Sequence, residues 1–229
     1  FGVAWAALQP FLFMAVFVLF IGRIAGVKPS GVPYVLFAFA GLVAWTFFAS
    51  ALASSSNSLV LNERLVSKVY FPRLLMPLAA AASFLVDFAI GSVLLLALMV
   101  LHSWHFSATI LLVPVFALLD LFTALAIGVW LSAINVRYRD VVFAVPFFVQ
   151  VWLFVTPVAY ALTVVPSRWR VFYGINPMAS VVEGYRWAML GTPFPPTGMV
   201  AVSAVTAVVL LIAGLLYFKR AERTFADVI

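Results

Sequence analysis

An all-α integral membrane bundle is the fold class this sequence predicts, and three observations predict it. Hydrophobic residues make up 66% of the 229-residue chain and charged residues only 9%, whereas soluble domains carry about a quarter charged residues. Six apolar runs are long enough to cross a hydrocarbon core of roughly 30 Å as helices. None alternates polar with apolar residues as a barrel strand does, and an open sheet in lipid would leave its backbone polar groups unpaired. No linker or low-complexity segment interrupts the chain, so residues 1–229 read as a single transmembrane domain.

Taken in order, the runs fall at about residues 1–22, 33–55, 75–101, 107–134, 141–162 and 199–218. The first opens at Phe1, inside apolar sequence and without the charged stretch that starts a signal peptide, which leads us to expect native sequence ahead of it. Only "HSWHF" separates runs three and four, and only "NVRYRD" separates runs four and five, so both connections are tight turns. The connections between runs two and three and between runs five and six are longer.

Placing residue 1 in the cytoplasm puts Arg64, Lys68, Arg73, Arg137, Arg139, Lys219, Arg220 and Arg223 inside, against Arg23, Lys28, Arg168, Arg170 and Arg186 outside. The positive-inside rule favours this orientation, with both termini cytoplasmic. The net charge of +6 is accounted for by such loops. No basic patch stands out beyond them, so nucleic acid is not the expected partner.

The second connection contains "NERLVSKVYFPRLLMP". Leu61, Leu65 and Val69 recur four apart, and Arg64 and Lys68 recur four apart on another face, the pattern of a short amphipathic helix. Ser56 or Asn57 is the expected cap at its start and Pro72 its stop. Such a helix either lies among lipid headgroups or docks a soluble partner, and the residues alone leave both open.

The last connection reads "TVVPSRWRVFYGINPMASVVEGYRWAMLGTPFPP". Asn176 followed by Pro177 is a helix start, and Gly191 with Pro193 a helix stop. The enclosed helix is too short to cross a bilayer, and a second short helix is expected over residues 166–173. Together they suggest a re-entrant external hairpin. Glu183 and Arg186, three apart, can pair on one helical face. A structural ion pair that pins the hairpin is the favoured reading. An external gate lined by Asn176, Pro177, Glu183, Tyr185 and Arg186 is the functional one.

Over essentially its whole length the sequence resembles the permeases of type-2 ABC exporters, in the branch that exports O-antigen and similar cell-surface polysaccharides. "FGVAWAALQP", "KVYFPR", "NVRYRDV" and "INPMASVVEGYRWAMLG" carry the likeness. The resemblance implies a coupling helix at about residues 58–70 that seats in the ATP-binding subunit, through Leu61, Asn62, Glu63, Arg64, Leu65, Lys68 and Tyr70. A second cytoplasmic contact at Arg137, Arg139 and Asp140 is weighed against simple anchoring of the turn, and anchoring is preferred. The resemblance further implies a homodimer in the bacterial inner membrane with two ATP-binding subunits, lipid-linked polysaccharide as substrate, and a conduit lined by spans one, two and five. Teichoic acid, drugs or small lipids are alternative cargoes, and a membrane-embedded glycan- or lipid-modifying enzyme is the alternative of another class.

Aromatic residues in span five, Phe147, Trp152 and Phe154, are candidate channel residues because a ring face can stack on a sugar without holding it by many directional bonds. Asp87 and Asp120 fall within apolar runs, where an ionised carboxylate is costly, and are expected to hydrogen-bond between helices or to meet channel water. His102 and His105 stand three apart with no third ligand near in sequence, so no metal site is expected. No Gly-Lys dipeptide occurs, so there is no phosphate-cradling loop. We therefore expect no catalytic residues and no cofactor in this chain, with ATP and magnesium bound by the partner subunit.

Overall fold

The computed structural model describes residues 11–24, 31–68 and 71–225. An apolar helix, α1 (Phe11–Phe20), passes into a π-helical stretch at Val18–Ile24. α2 (Tyr34–Leu61) and the six-residue α3 (Glu63–Lys68) follow. α4 (Leu75–Ala82) and α5 (Leu85–Leu101) are nearly continuous, and α6 (Val113–Arg137) is led in by a 3₁₀ turn at Ala108–Leu112. The rest is α7 (Val141–Val155), α8 (Ser167–Tyr173), α9 (Pro177–Leu190) and α10 (Thr197–Ala221). No strand occurs among the described residues. Four helical segments there are long and apolar enough to cross a membrane: Tyr34–Leu61, Leu75–Leu101, Ala108–Arg137 and Thr197–Ala221. α1 and α7 are apolar but shorter.

α2 is the axis of the bundle. It is buried nearly all round, with α4, α5, α6, α7 and α9 packed about it. Its Ala38, Ala40, Gly41, Ala44, Ala51, Ser55 and Ser56 explain why, since small side chains let neighbouring backbones approach closely where lipid gives no hydrophobic reason to associate. α5, α6 and α10 bury only a stripe each and expose the rest of an apolar surface, as helices facing lipid do.

Because consecutive long helices alternate in direction, the connections collect at two ends. At one end Glu63 faces Arg139, Arg73 donates to the Glu222 carbonyl at 2.7 Å, and Asn135 of α6 donates to the Ser56 carbonyl and to Asn57 Oδ1, each at 3.0 Å. At the other, Tyr34 donates to the Ala159 carbonyl at 2.8 Å, Trp104 to Leu190 at 3.1 Å and Thr109 to Ala188 at 2.9 Å. The first is the charged end, the second the α8–α9 end.

Two expected boundaries are corrected. Ser56 and Asn57 do not start a new helix, because α2 runs through them to Leu61 and the break falls at Asn62. The Ser56 and Ser58 hydroxyls turn back to the carbonyls of Ala53 and Ser55 at 2.8 Å instead of capping, and Asn57 is held by Asn135. The fifth run stops at Val155 rather than reaching residue 162. Pro157 disfavours the helical region for the residue before it, and Thr156 is extended at φ −91°, ψ 140°.

Candidate functional site

The charged end gathers the residues expected to meet a partner. α2 stops at Asn62, whose side-chain Nδ2 donates to the Ser58 carbonyl at 2.8 Å, and α3 leaves at once with Glu63 in its first turn. Leu61 is 78% exposed and Leu65 48%, so the two leucines of the expected amphipathic face stand uncovered. Glu63 reaches Arg139 at 3.9 Å, which joins the expected coupling segment to the second expected contact. Arg137, Arg139 and Asp140 are all exposed. An exposed pair at that distance is worth at most about 1 kcal/mol, so it steers orientation more than it stabilises. Arg73, which lies just beyond α3, sits 5.9 Å over the Phe225 ring as well as bonding to Glu222, which ties the end of α10 to this connection. Tyr70 and the side chain of Lys68 lie outside the described residues.

At the opposite end α9 is the buried piece. Asn176 Oδ1 accepts from the Met178 amide at 3.2 Å, Pro177 occupies the first turn, and Gly191 closes the helix at φ +68°, a left-handed position that favours glycine. Arg186 is wholly buried. Its guanidinium donates Nε to the Phe37 carbonyl at 3.1 Å, Nη1 to Glu183 Oε1 at 2.9 Å and to the Pro157 carbonyl, and Nη2 to the Val158 carbonyl. It also lies 3.6 Å from the Phe37 ring centroid. One side chain thus joins α9, the start of α2 and the chain after α7. Gly41 makes room for it, since a Cβ there would run into Nη2.

Tyr185 is equally buried and exchanges a hydrogen bond with Ser92 of α5 at 2.9 Å. Asp120, on α6, is buried with neither carboxylate oxygen partnered among the described residues, whereas Asp87 is exposed on the surface of α5. Tyr185 and Arg186 therefore have no surface to offer a sugar in this state, and Glu183 has little.

A third feature is a groove of about 590 Å³ between α1, α2 and α7. Phe13 and Phe17 of α1, Trp45 of α2 and Phe154 of α7 supply aromatic surface, and Thr46, Ser50 and Gln150 supply hydroxyls and an amide. Of the three channel aromatics named from sequence, Phe154 lines this groove and is 65% exposed. Phe147, 64% exposed, packs edge-on against Phe148 elsewhere on α7, and Trp152 packs edge-on against Phe48. Sequence reasoning missed Gln150, although it is the one amide in an otherwise apolar helix. It also missed Thr46 and Ser50, whose four-residue spacing places both on one face of α2.

Among the described residues no group of His, Cys, Asp or Glu could hold a metal ion.

Residues 1–190 match the family model described as ABC-2 type transporter. The O-antigen export system permease protein RfbA of Myxococcus xanthus is 29% identical over 99% of this chain and 87% of its own length. Two O-antigen export system permease proteins RfbA of Klebsiella pneumoniae are 24% and 22% identical over the whole of this chain and 88% and 87% of their own lengths.

Proposed function

The chain belongs to the ABC-2 type transporter family as a transmembrane permease subunit of an ABC exporter, and from that premise we propose that it moves lipid-linked O-antigen or a related polysaccharide across the bacterial inner membrane. The observation that carries this reading is the groove between α1, α2 and α7. It combines the exposed rings of Phe13 and Phe154 with Thr46, Ser50 and Gln150, and among the described residues no charged side chain lines it. Such a surface contacts each passing sugar weakly and holds none of them, which suits a polymer that must slide.

The groove is open along one side of a single chain, and two copies facing each other would enclose a conduit, so the working unit is a homodimer with its two-fold axis along the membrane normal. In each copy α1 and α7 complete six spans with the four longer helical segments, and α8 and α9 form a re-entrant hairpin on the external side. Both termini are cytoplasmic, with the charged end in the same compartment. Two ATP-binding subunits dock at that end, seat against Leu61 and Leu65 within the ring of Glu63, Arg64, Arg139 and Asp140, and bind the ATP and magnesium. Closure of those subunits pushes α3 and the turn at residues 138–140. The displacement passes along α2, which is continuous from Leu61 to the backbone held by Arg186. The stretch from charged end to hairpin is thus one rigid helix.

The test is reconstitution of the permease with its ATP-binding subunits in liposomes. ATP-dependent appearance of lipid-linked glycan on the far leaflet, with glycan-stimulated hydrolysis, supports the proposal. Stimulation by drugs or small lipids but not by glycan would reassign the cargo, and turnover of a glycan by the permease alone would make the chain an enzyme.

A further inference from the structure

α6 and α10 pack tightly at one level and leave a cleft at another. In the half nearer the charged end a Cβ on Gly214 would run into the Trp130 ring, so the two helices touch there. Toward the α8–α9 end a cleft of about 310 Å³ opens between them, with Phe116, Leu119 and Phe122 on the α6 side, Ala204 and Val208 on the α10 side and α9 behind. Its three hydroxyls are already committed. Thr123 donates to the Leu119 carbonyl at 2.8 Å, Ser180 bonds to Ser203 at 2.7 Å, and Ser203 donates to the Gly174 carbonyl at 2.9 Å. What the cleft offers is therefore apolar surface, and Leu119, Ala204 and Val208 at its rim are exposed on the side the bundle turns to lipid. Val200 to Val208, which bound it along α10, span about 12 Å of helix, close to the roughly 15 Å that is half of a hydrocarbon core. The cleft matches one leaflet in depth.

The mouth of the cleft carries charge of one sign. α8 packs on the first turn of α10, since a Cβ on Gly198 would touch Val171 and one on Gly174 would strike the Met199 carbonyl. Arg170 precedes Val171 and Arg168 lies about one turn before it, so both side chains leave the chain at the level where the cleft begins. Exposed Trp169 between them is a residue type that gathers at membrane–water interfaces. Arg170 also lines a neighbouring cavity, which shares Phe194 and Pro195 with the cleft. It gives Nε to the Val165 carbonyl at 2.9 Å and one Nη2 proton to the Thr163 carbonyl at 3.3 Å, and it keeps an Nη1–Nη2 donor pair. α8 contains no acid, and Glu183, the one carboxylate on α9, already serves Arg186. Two cations without a balancing carboxylate select an anion, and an apolar cleft of leaflet depth beside them selects one that carries a hydrocarbon chain. We infer that the cleft holds an acyl chain of an anionic phospholipid from the leaflet at the α8–α9 end, with its phosphate on Arg168 and Arg170. The inference goes beyond the export reading and needs only that α6 and α10 span the membrane.

The test is native mass spectrometry of the permease with its ATP-binding subunits, taken from liposomes of equal phosphatidylcholine and phosphatidylglycerol with matched chains. Wild type should retain phosphatidylglycerol over phosphatidylcholine by about fivefold or more. Ala204→Trp, which places an indole in the cleft, should cut that retention about tenfold at an unchanged unfolding temperature. Val208→Trp, about one turn along the same wall, repeats the block should the first variant fail to fold. Arg168→Gln combined with Arg170→Gln should bring the two lipids to equal retention, because the chain still enters the cleft while the charge preference is gone. Equal retention of both lipids by wild type, or phosphatidylglycerol retention that none of these variants lowers, would overturn the inference. Displacement of phosphatidylglycerol by an equal amount of a polyprenyl phosphate would give the cleft to the carrier of the export substrate. A lipid-free complex with additional permease copies would give it to a second chain, and either result overturns the inference as well.

Discussion

Replacing Arg186 by Met removes a group that ties α9 at once to α2 and to the chain after α7. The guanidinium makes four hydrogen bonds, three to the backbone carbonyls of Phe37, Pro157 and Val158 and one to Glu183. Methionine fills similar space but takes the donor from the Pro157 and Val158 carbonyls, which lie outside any helix, and leaves the Glu183 carboxylate uncompensated. Breaking a buried pair by deleting one partner costs about 3–5 kcal/mol. For a chain of this size each kcal/mol lowers the unfolding temperature by about 2–4 °C, so a fall of roughly 6–20 °C is expected. The seven tryptophans provide an intrinsic fluorescence signal for the purified protein, and the absence of cysteine removes thiol-reactive dyes as an option. Adding Glu183→Gln should recover part of the loss, because the stranded charge is gone while the carbonyls stay unpaired. An Arg186→Met protein that melted within about 2 °C of wild type would refute the assignment of this side chain as the tie between the three segments.

Gly41→Ala presses a methyl group into the same guanidinium, so it should lower the unfolding temperature by several degrees and add little on top of Arg186→Met, measured by the same melts. Arg139→Glu breaks only the exposed contact with Glu63, so melting should move by no more than about 2–4 °C, equivalent to about 1 kcal/mol, while ATP-driven export from liposomes falls severalfold. Phe154→Ala removes a ring that is already exposed in the groove; export should slow while the unfolding temperature holds, and a normal export rate would take Phe154 out of the conduit.

The parts of this fold that sequence rendered well are those set by neighbours in the chain. The α9 boundaries follow from Asn176, Pro177 and Gly191 alone, and the structure starts and ends the helix at those signals. The end of α2 was misread because serine and asparagine there carry the local chemistry of a cap, and a partner 78 residues away, Asn135, uses Asn57 instead. The pairing of Glu183 with Arg186 was legible from their spacing, but the three carbonyls were not, since they depend on the break at Pro157 arriving beside the start of α2. The groove was the least legible, because it is built from three separate segments and a lone Gln150 carries no periodicity by which to notice it.

The absence of cysteine makes the most direct measurement a clean one, because a single introduced thiol at Arg64 or Arg139 is the chain's only reactive sulfur. Arg64→Cys and Arg139→Cys permeases, assembled with the ATP-binding subunit, would be treated with a short bifunctional cross-linker with and without ATP. The account predicts a covalent permease–ATPase product at both positions, with a yield that changes with nucleotide state. Thiols that label only with lipid-phase reagents and never join the ATPase subunit would contradict the claim that the charged end is where the motor grips the permease.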